Sequence, residues 1–295
     1  MNGIIIVNKE KGFTSHDAVA KLRGILRERK IGHTGTLDPD ATGVLPVCLG
    51  SATKVCELIM DRTKVYTAGV RLGLVTDTQD ISGEVLSECK PDVTLTQLQL
   101  AVDSFIGRIE QETPMYSARK VNGQKLVDLA RKGITIEREK KSITVFAVDV
   151  FDFNPEEGTF SMRVQCSKGT YIRTLCHDIG ARLGCGACMT SLIRNASGEF
   201  RLEDAHTLSE IEKIRDEGRL SDILLSTDML FQEYGSADIT EEGRKFLSNG
   251  NPIPAALVSL HGAEGNRIRV YDNGVFSALY ELKGETYRPV KMFLR

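Results

Sequence analysis

Apolar residues recur at two alternating periods over the first 230 positions, and beyond them almost only the shorter period remains. Residues 3–7 carry a β-branched run, Ile4-Ile5-Ile6-Val7, that reads as a strand. From Ser15 through Arg29, Val19, Leu22, Ile25 and Leu26 recur at helical spacing, with Ser15 as the N-cap. Gly32, Gly35, Pro39 and Gly43 punctuate a loop over 31–43. An apolar run from Gly43 to Gly50 leads into a short helix near 51–60, and residues 64–74 alternate as a strand. Helices are expected over 94–106, 124–132 and 170–183, and strands over 143–153 and 159–166. Interleaved helices with hairpin-linked strands point to an α+β domain, a mixed and largely antiparallel sheet flanked by helices. The acidic stretch 203–234 reads as helical and closes this domain. From about 236 a helix over 240–248 precedes strands near 266–271, 275–282 and 287–294. Their connections hold Asp272-Asn273-Gly274 and Lys283-Gly284, and Asn-Gly is a strong hairpin signal. The domains expected are therefore 1–232 and a β-barrel-like module over 236–295.

A chain of 295 residues with 41% hydrophobic and 26% charged residues needs no disulfide or metal to complete a core. No apolar run reaches the roughly 18 residues of a membrane span, and the N-terminus lacks the basic leader of a signal peptide. A cytoplasmic protein with seven reduced cysteines is expected. The net charge of −2 argues mildly against a nucleic-acid partner. Its distribution is uneven, however. Residues 114–141 carry eight Lys/Arg against three acids and residues 1–34 seven against three, whereas 203–222 carry seven acids against three bases. Folding can gather the basic segments into one local field, which steers a ligand more than net charge does. Solvated surface runs are the other reading.

Several kinds of chemistry lack their signatures. There is no G-x-x-x-x-G-K-[ST] motif, and Gly184-Cys185-Gly186 lacks both the third glycine and the preceding strand of a dinucleotide fingerprint. No nucleotide cofactor is indicated. Cys185 and Cys188 form a lone C-x-x-C, half of what a structural zinc site needs. The five histidines assemble no convincing nucleophilic triad. Carboxylate chemistry, with no cofactor and no metal, is the expectation.

The most unusual stretch is Ile31-Gly32-His33-Thr34-Gly35-Thr36-Leu37-Asp38-Pro39-Asp40-Ala41-Thr42-Gly43-Val44-Leu45-Pro46-Val47. Its glycines permit close approach of a ligand to polar groups, and Pro39 holds Asp38 extended. On composition alone an Asx-turn, with the Asp38 carboxylate bonded to nearby N–H groups, competes with a functional reading. Likewise Tyr66 reads as a strand-core tyrosine and Arg173 as an exposed helix arginine when each is taken alone.

That stretch resembles the central motif of the bacterial tRNA pseudouridine-55 synthases, the TruB family. Further matches follow in order: Gly3 to Lys9 with Gly12 and Thr14-Ser15; Lys64-Val65-Tyr66 with Gly73, Thr76-Asp77-Thr78, Asp80 and Gly83; Pro114-Met115-Tyr116-Ser117-Ala118 with Lys120, Gly123 and Ala130 to Gly133; Lys168-Gly169-Thr170-Tyr171-Ile172-Arg173; and Leu192 with Arg194, Gly198 and Phe200. Glu10 departs from the family, which usually has proline there. The likeness covers about 1–230, and the last 60 residues resemble a PUA-type RNA-binding domain more weakly.

The resemblance implies a pseudouridine synthase fold and an isomerase that needs no cofactor. It implies Asp38 as the catalytic carboxylate, Tyr66 as the platform for the uracil, and Arg173 as the partner that orients Asp38. Substrate contacts would come from His33, Lys9, Tyr171, Leu192, Lys168, Gly35 and Thr36. The partner would be tRNA, its T arm held by the insertion 114–141 and its acceptor end by the terminal module, with the protein acting as a monomer. Two other readings stay open on the residues: an RNA-binding chaperone without catalysis, and a zinc-dependent regulator built on Cys185 and Cys188.

Overall fold

The computed structural model describes residues 1–262 and 265–294. In chain order the elements begin with β1 (Gly3–Lys9), α1 (Ser15–Leu26), β2 (Ile31–His33), β3 (Thr42–Leu49), α2 (Cys56–Met60) and β4 (Lys64–Leu72). There follow β5 (Leu74–Thr76), β6 (Val85–Glu88), α3 (Leu95–Asp103), β7 (Gly107–Glu112), β8 (Lys120–Val121), β9 (Gln124–Lys125) and α4 (Leu126–Ala130). Next come β10 (Lys140–Asn154), β11 (Thr159–Cys166), α5 (Ile172–Leu183), β12 (Ala187–Ser197), β13 (Phe200–Arg201) and α6 (Leu208–Asp216). The chain ends with β14 (Gly235–Ile239), α7 (Arg244–Ser248), β15 (Ile253–Pro254), β16 (Val258–His261), β17 (Arg267–Asp272), β18 (Val275–Lys283) and β19 (Thr286–Met292).

The large sheet has the order β1-β3-β12-β4-β11-β10-β7, with β2 joined to β3 and β13 to β12. All its pairings are antiparallel except β3 with β12. The α+β expectation holds. The β-branched run of β1 is explained by burial on both faces. Ile5 and Val7 pack with α1 and α6, whereas Ile4 and Ile6 face a second core containing Phe231, Phe276 and Phe293. On the remaining strands a third core joins β4, β10 and β11 to α3 and α5.

Several boundaries differ from the sequence reading. The cap of α1 is Thr14, which accepts from the Asp17 amide while Asp17 bonds back to it, a complete capping box. Ser15 is instead buried and serves another purpose described below. The helix stops at Leu26 and not at Arg29, because Arg27 turns left-handed where the apolar stripe runs out. The loop over 31–43 starts as a strand and ends as one. The stretch 203–234 holds one nine-residue helix among 3-10 turns. The terminal helix spans only Arg244–Ser248.

Strands β14 to β19 form a six-stranded sheet, β15-β19-β18-β17-β14-β16, curled around its own core of Ala237, Val270, Ala278 and Tyr280. This module also shares a core with the body. The Phe276 and Phe293 rings pack tilted with centroids 4.9 Å apart, and both reach Phe231 at 6.0 Å. Lys54 Nζ donates to the Met292 carbonyl (2.8 Å) and Lys291 Nζ to the Lys54 carbonyl (2.7 Å), fixing the seam. Residues 114–136 leave the large sheet as a small unit, the β8–β9 hairpin and α4 around Met115, Leu126 and Leu129.

Candidate active site

A cavity of about 500 Å³ opens between the β2–β3 loop, β4, the start of α5 and β12. Its wall holds Gly35, Thr36, Leu37, Asp38, Tyr66, Lys168, Tyr171, Arg173, Leu192 and Arg194.

One turn bond, from the Ala41 amide to the Asp38 carbonyl at 3.1 Å, lies within the Asp38 loop, and the other bonds that fix it come from outside. Leu37 is buried, and its amide donates to Ser15 Oγ at 2.8 Å. Thr34 donates through both its amide and its hydroxyl to the Pro46 carbonyl, each at 3.1 Å. The Pro39 carbonyl accepts from the Gly12 amide (2.9 Å) and from Lys9 Nζ (3.1 Å). Gly43, at φ +104°, lies against the Arg194 backbone, where a Cβ would stand 2.3 Å from the carbonyl oxygen. Only glycine lets β3 and β12 run side by side there.

The Asx-turn alternative fails. The Asp38 carboxylate accepts no hydrogen bond from its own loop among the described residues. Its partner is Arg173, with Nη2 3.4 Å from Oδ2. Arg173 is 6% exposed, so the exposed-helix reading of it fails too. The same Nη2 donates to the Tyr116 carbonyl at 2.6 Å, and Nη1 lies 3.7 Å from Asp80 Oδ2. Asp80 was not among the expected site residues. Its Oδ1 accepts from Thr78 Oγ1 (2.8 Å), the Ser82 amide (3.0 Å) and Ser82 Oγ (2.5 Å), which aims Oδ2 at the guanidinium.

Tyr66 lies on β4 between Val164 and Arg194 in register, and burial pushes its phenol up. It is both a packed strand tyrosine and part of the cavity wall. Leu192 is 9% exposed in the wall. Tyr171 begins α5, its amide donating to Gln111 Oε1 at 2.8 Å, and its ring lies 6.0 Å from the Arg173 guanidinium.

Two expected contacts differ in place. Lys9 does not line the cavity. It is 1% exposed, and Nζ donates to the carbonyls of Glu10 (3.0 Å), Phe13 (2.6 Å) and Pro39 (3.1 Å). Burial lowers its ammonium pKa to about 8. It is a clamp on the Asp38 loop, with Glu10 supplying a carbonyl where the family usually has proline. His33 also stays out of the cavity wall, half-buried on β2 with Nδ1 lacking a partner among the described residues and its pKa lowered by burial. Lys168 does line the cavity, paired to Asp61 at 2.6 Å. Cys188 is buried on β12 and Cys185 half-buried, and among the described residues no group of metal-ligating side chains forms.

The mixed sheet and its aspartate–tyrosine–arginine cavity define the pseudouridine synthase class. In overall fold the chain matches a solved H/ACA ribonucleoprotein bound to a substrate RNA containing 2′-deoxyuridine (TM-score 0.71, 24% identity, 99% of this chain and 85% of that one). A Cbf5–Nop10–Gar1 complex matches equally well at 25% identity over the same shares. The family model for the N-terminal domain of TruB family pseudouridylate synthases matches residues 23–172, and that for the tRNA pseudouridylate synthase B C-terminal domain matches 173–232. The tRNA pseudouridine synthase B of Lachnoclostridium phytofermentans is 48% identical over all of both chains, and that of Bacillus cereus 44% identical over 92% of this chain and 93% of its own. The chain belongs to the TruB family of pseudouridylate synthases.

Proposed function

We propose that this enzyme isomerises the uridine at position 55, in the T loop of tRNA, to pseudouridine. The observation that carries this reading is the Arg173–Asp38 pair at the cavity, with Tyr66 in the same wall. The reaction breaks the C1′–N1 bond and joins C1′ to C5, with no atom gained or lost. It calls for a carboxylate beside the ribose, a platform for the base and an enclosure that retains the detached uracil. Asp38 attacks C1′ as the nucleophile, oriented by Arg173. Tyr66 supports the ring and stands ready to move the C5 proton. Tyr171 and Leu192 flank the base, and Gly35 and Thr36 let the nucleotide approach the loop.

The target base must leave its stack, which costs roughly a few kcal/mol. The basic insertion 114–141 grips the T arm through phosphates and shape. Lys168 contributes at the rim, and His33 contacts the RNA loop outside the cavity. The catalytic domain is 1–232, and the module 236–295 is a PUA-like domain that reaches the acceptor end, the protein acting as a monomer in the cytoplasm. No helix among the described residues is long and apolar enough to cross a membrane.

The test is to incubate the protein with an unmodified tRNA transcript and map pseudouridine. Conversion confined to the T loop is expected, and Asp38→Asn should bind tRNA yet convert none. Conversion by Asp38→Asn sinks the mechanism, whereas a wild type that binds tRNA and converts none returns weight to an RNA chaperone. Binding should weaken steeply with added salt, and a flat response removes the phosphate grip.

A further inference from the structure

Arg194 is a buried cation without a carboxylate. It is 1% exposed on β12, in register with Tyr66. Nε donates to the Val44 carbonyl at 2.6 Å and Nη2 reaches the Gly35 carbonyl at 3.4 Å. Besides these main-chain oxygens its neighbour is the Tyr66 hydroxyl, whose phenol it favours in the ionised form, and among the described residues no carboxylate lies within 4 Å of it. A Cβ on Gly35 would stand 3.6 Å from Nη1. The guanidinium thus lies behind a side-chain-free stretch of the wall that also holds Asp38 and Tyr66. The contrast with Arg173 is sharp, since two carboxylates lie within 4 Å of that guanidinium. Lys64, another buried cation in the wall, directs its ammonium at the carbonyls of Met60 and Arg62.

Burying a guanidinium with no carboxylate partner is costly, and carbonyl and hydroxyl dipoles offset that cost only in part. Such a charge is well used where negative charge develops during a reaction and water is absent. This reaction supplies one. When C1′–N1 breaks, the electron pair stays with the base and uracil departs as an anion, its charge spread over N1, O2 and O4.

We propose that Arg194 is a further catalytic residue, stabilising the detached uracil anion through a carbonyl oxygen of a base held against Tyr66. The proposal rests on the pseudouridine-forming reading above. The carboxylate of Asp38 captures C1′ as the base leaves. The base turns, C5 displaces Asp38 from C1′, the C5 proton is removed and N1 takes up a proton. Arg194 neutralises the anion throughout and itself gains or loses no proton.

The competing role is a clamp that merely holds the Gly35 and Val44 carbonyls. Leaving-group chemistry separates the two. Fluorine at C5 withdraws electrons and makes uracil a better leaving group, less in need of a cation. Single-turnover disappearance of the target nucleoside is followed by mass spectrometry of digested transcripts carrying uridine or 5-fluorouridine at that position. Arg194→Met should lose about 10²-fold on uridine, the usual effect of removing one such stabilising donor. It should lose several-fold less on 5-fluorouridine, with tRNA binding kept. Arg194→Lys retains the charge and should recover part of the rate. If Arg194→Met does not fold, Arg194→Lys against wild type on the same two substrates gives the same comparison. Equal losses on both substrates, or no loss, overturn the proposal while leaving the function intact. A wild type inert on the uridine transcript overturns the function itself, and the proposal with it.

Discussion

Arg173 Nη2 stands 3.4 Å from Asp38 Oδ2 while also donating to the Tyr116 carbonyl at 2.6 Å. One planar fork therefore ties the Asp38 loop to the insertion, and its other nitrogen lies 3.7 Å from Asp80. A lysine ammonium is a point donor that cannot span these positions. Arg173→Lys should lower single-turnover pseudouridine formation by about 10²-fold. Binding of the tRNA, measured by filter retention, should stay close to wild type. A variant converting at the wild-type rate would show that Asp38 needs no oriented partner.

Asp80 acts on the chemistry only through Arg173. Asp80→Asn keeps an oxygen for Thr78 and Ser82, so the turn survives, but it removes the charge facing Nη1. The expected loss in rate is about tenfold, equivalent to roughly 1.4 kcal/mol, with an unchanged melting temperature. A fall in both rate and melting temperature would instead make Asp80 a turn-former.

How much of this was readable depended on whether the signal was local. The strands β1 and β4, the helix α5 and the Asn273-Gly274 hairpin follow from periodicity and turn chemistry carried by neighbouring residues. The strand β12 does not. Its bulges between Met189 and Ser191 and between Arg194 and Ala196 break the two-residue alternation, and its parallel pairing with β3 depends on Gly43, about 150 positions away. The polar strand β7 escaped for a related reason, since only Gln111 on it is fully buried. Within the cavity, Asp38, Tyr66 and Arg173 are the residues that motif order singles out. Asp80 and Arg194 stood in the same quoted motifs but their roles arise from contacts across the fold. Lys9 was misplaced because a surface lysine is the ordinary case, and nothing near it in sequence announces three converging carbonyls.

Tyr116 latches the insertion at a second point. Its hydroxyl donates to Asp77 Oδ2 at 2.6 Å, and that bond to a carboxylate also holds the phenol pKa above its usual value. A partly exposed bond of this kind contributes about 1 kcal/mol. Tyr116→Phe should speed amide exchange across 115–131 and weaken tRNA binding several-fold. The conversion rate of bound tRNA should change little, because the Tyr116 carbonyl that meets Arg173 is retained. Unaltered exchange would mean that the core of Met115, Leu126 and Leu129 alone holds the unit in place.

Lys9 gives the stability of the Asp38 loop a pH dependence whose sign is fixed by burial. Its ammonium pKa falls from 10.5 in the unfolded chain to about 8 in the fold. Between those values the unfolded state holds a proton that the native state has released, so stability rises with pH across this window. Below about pH 8 both states are charged, and the native state bears the full cost of burying the ammonium. Lys9→Met has no such titration. It loses the bonds to Glu10, Phe13 and Pro39, and should be destabilised at every pH. The gap between wild type and variant should be smallest near pH 7 and widen toward pH 10.5, as measured by urea unfolding across the range. Lys64, lowered to about 8 by the same cause, is present in both proteins and drops out of the difference. A gap that is constant with pH would mean that Lys9 is solvated, and with it that the loop after Asp38 is held by the Gly12 amide alone.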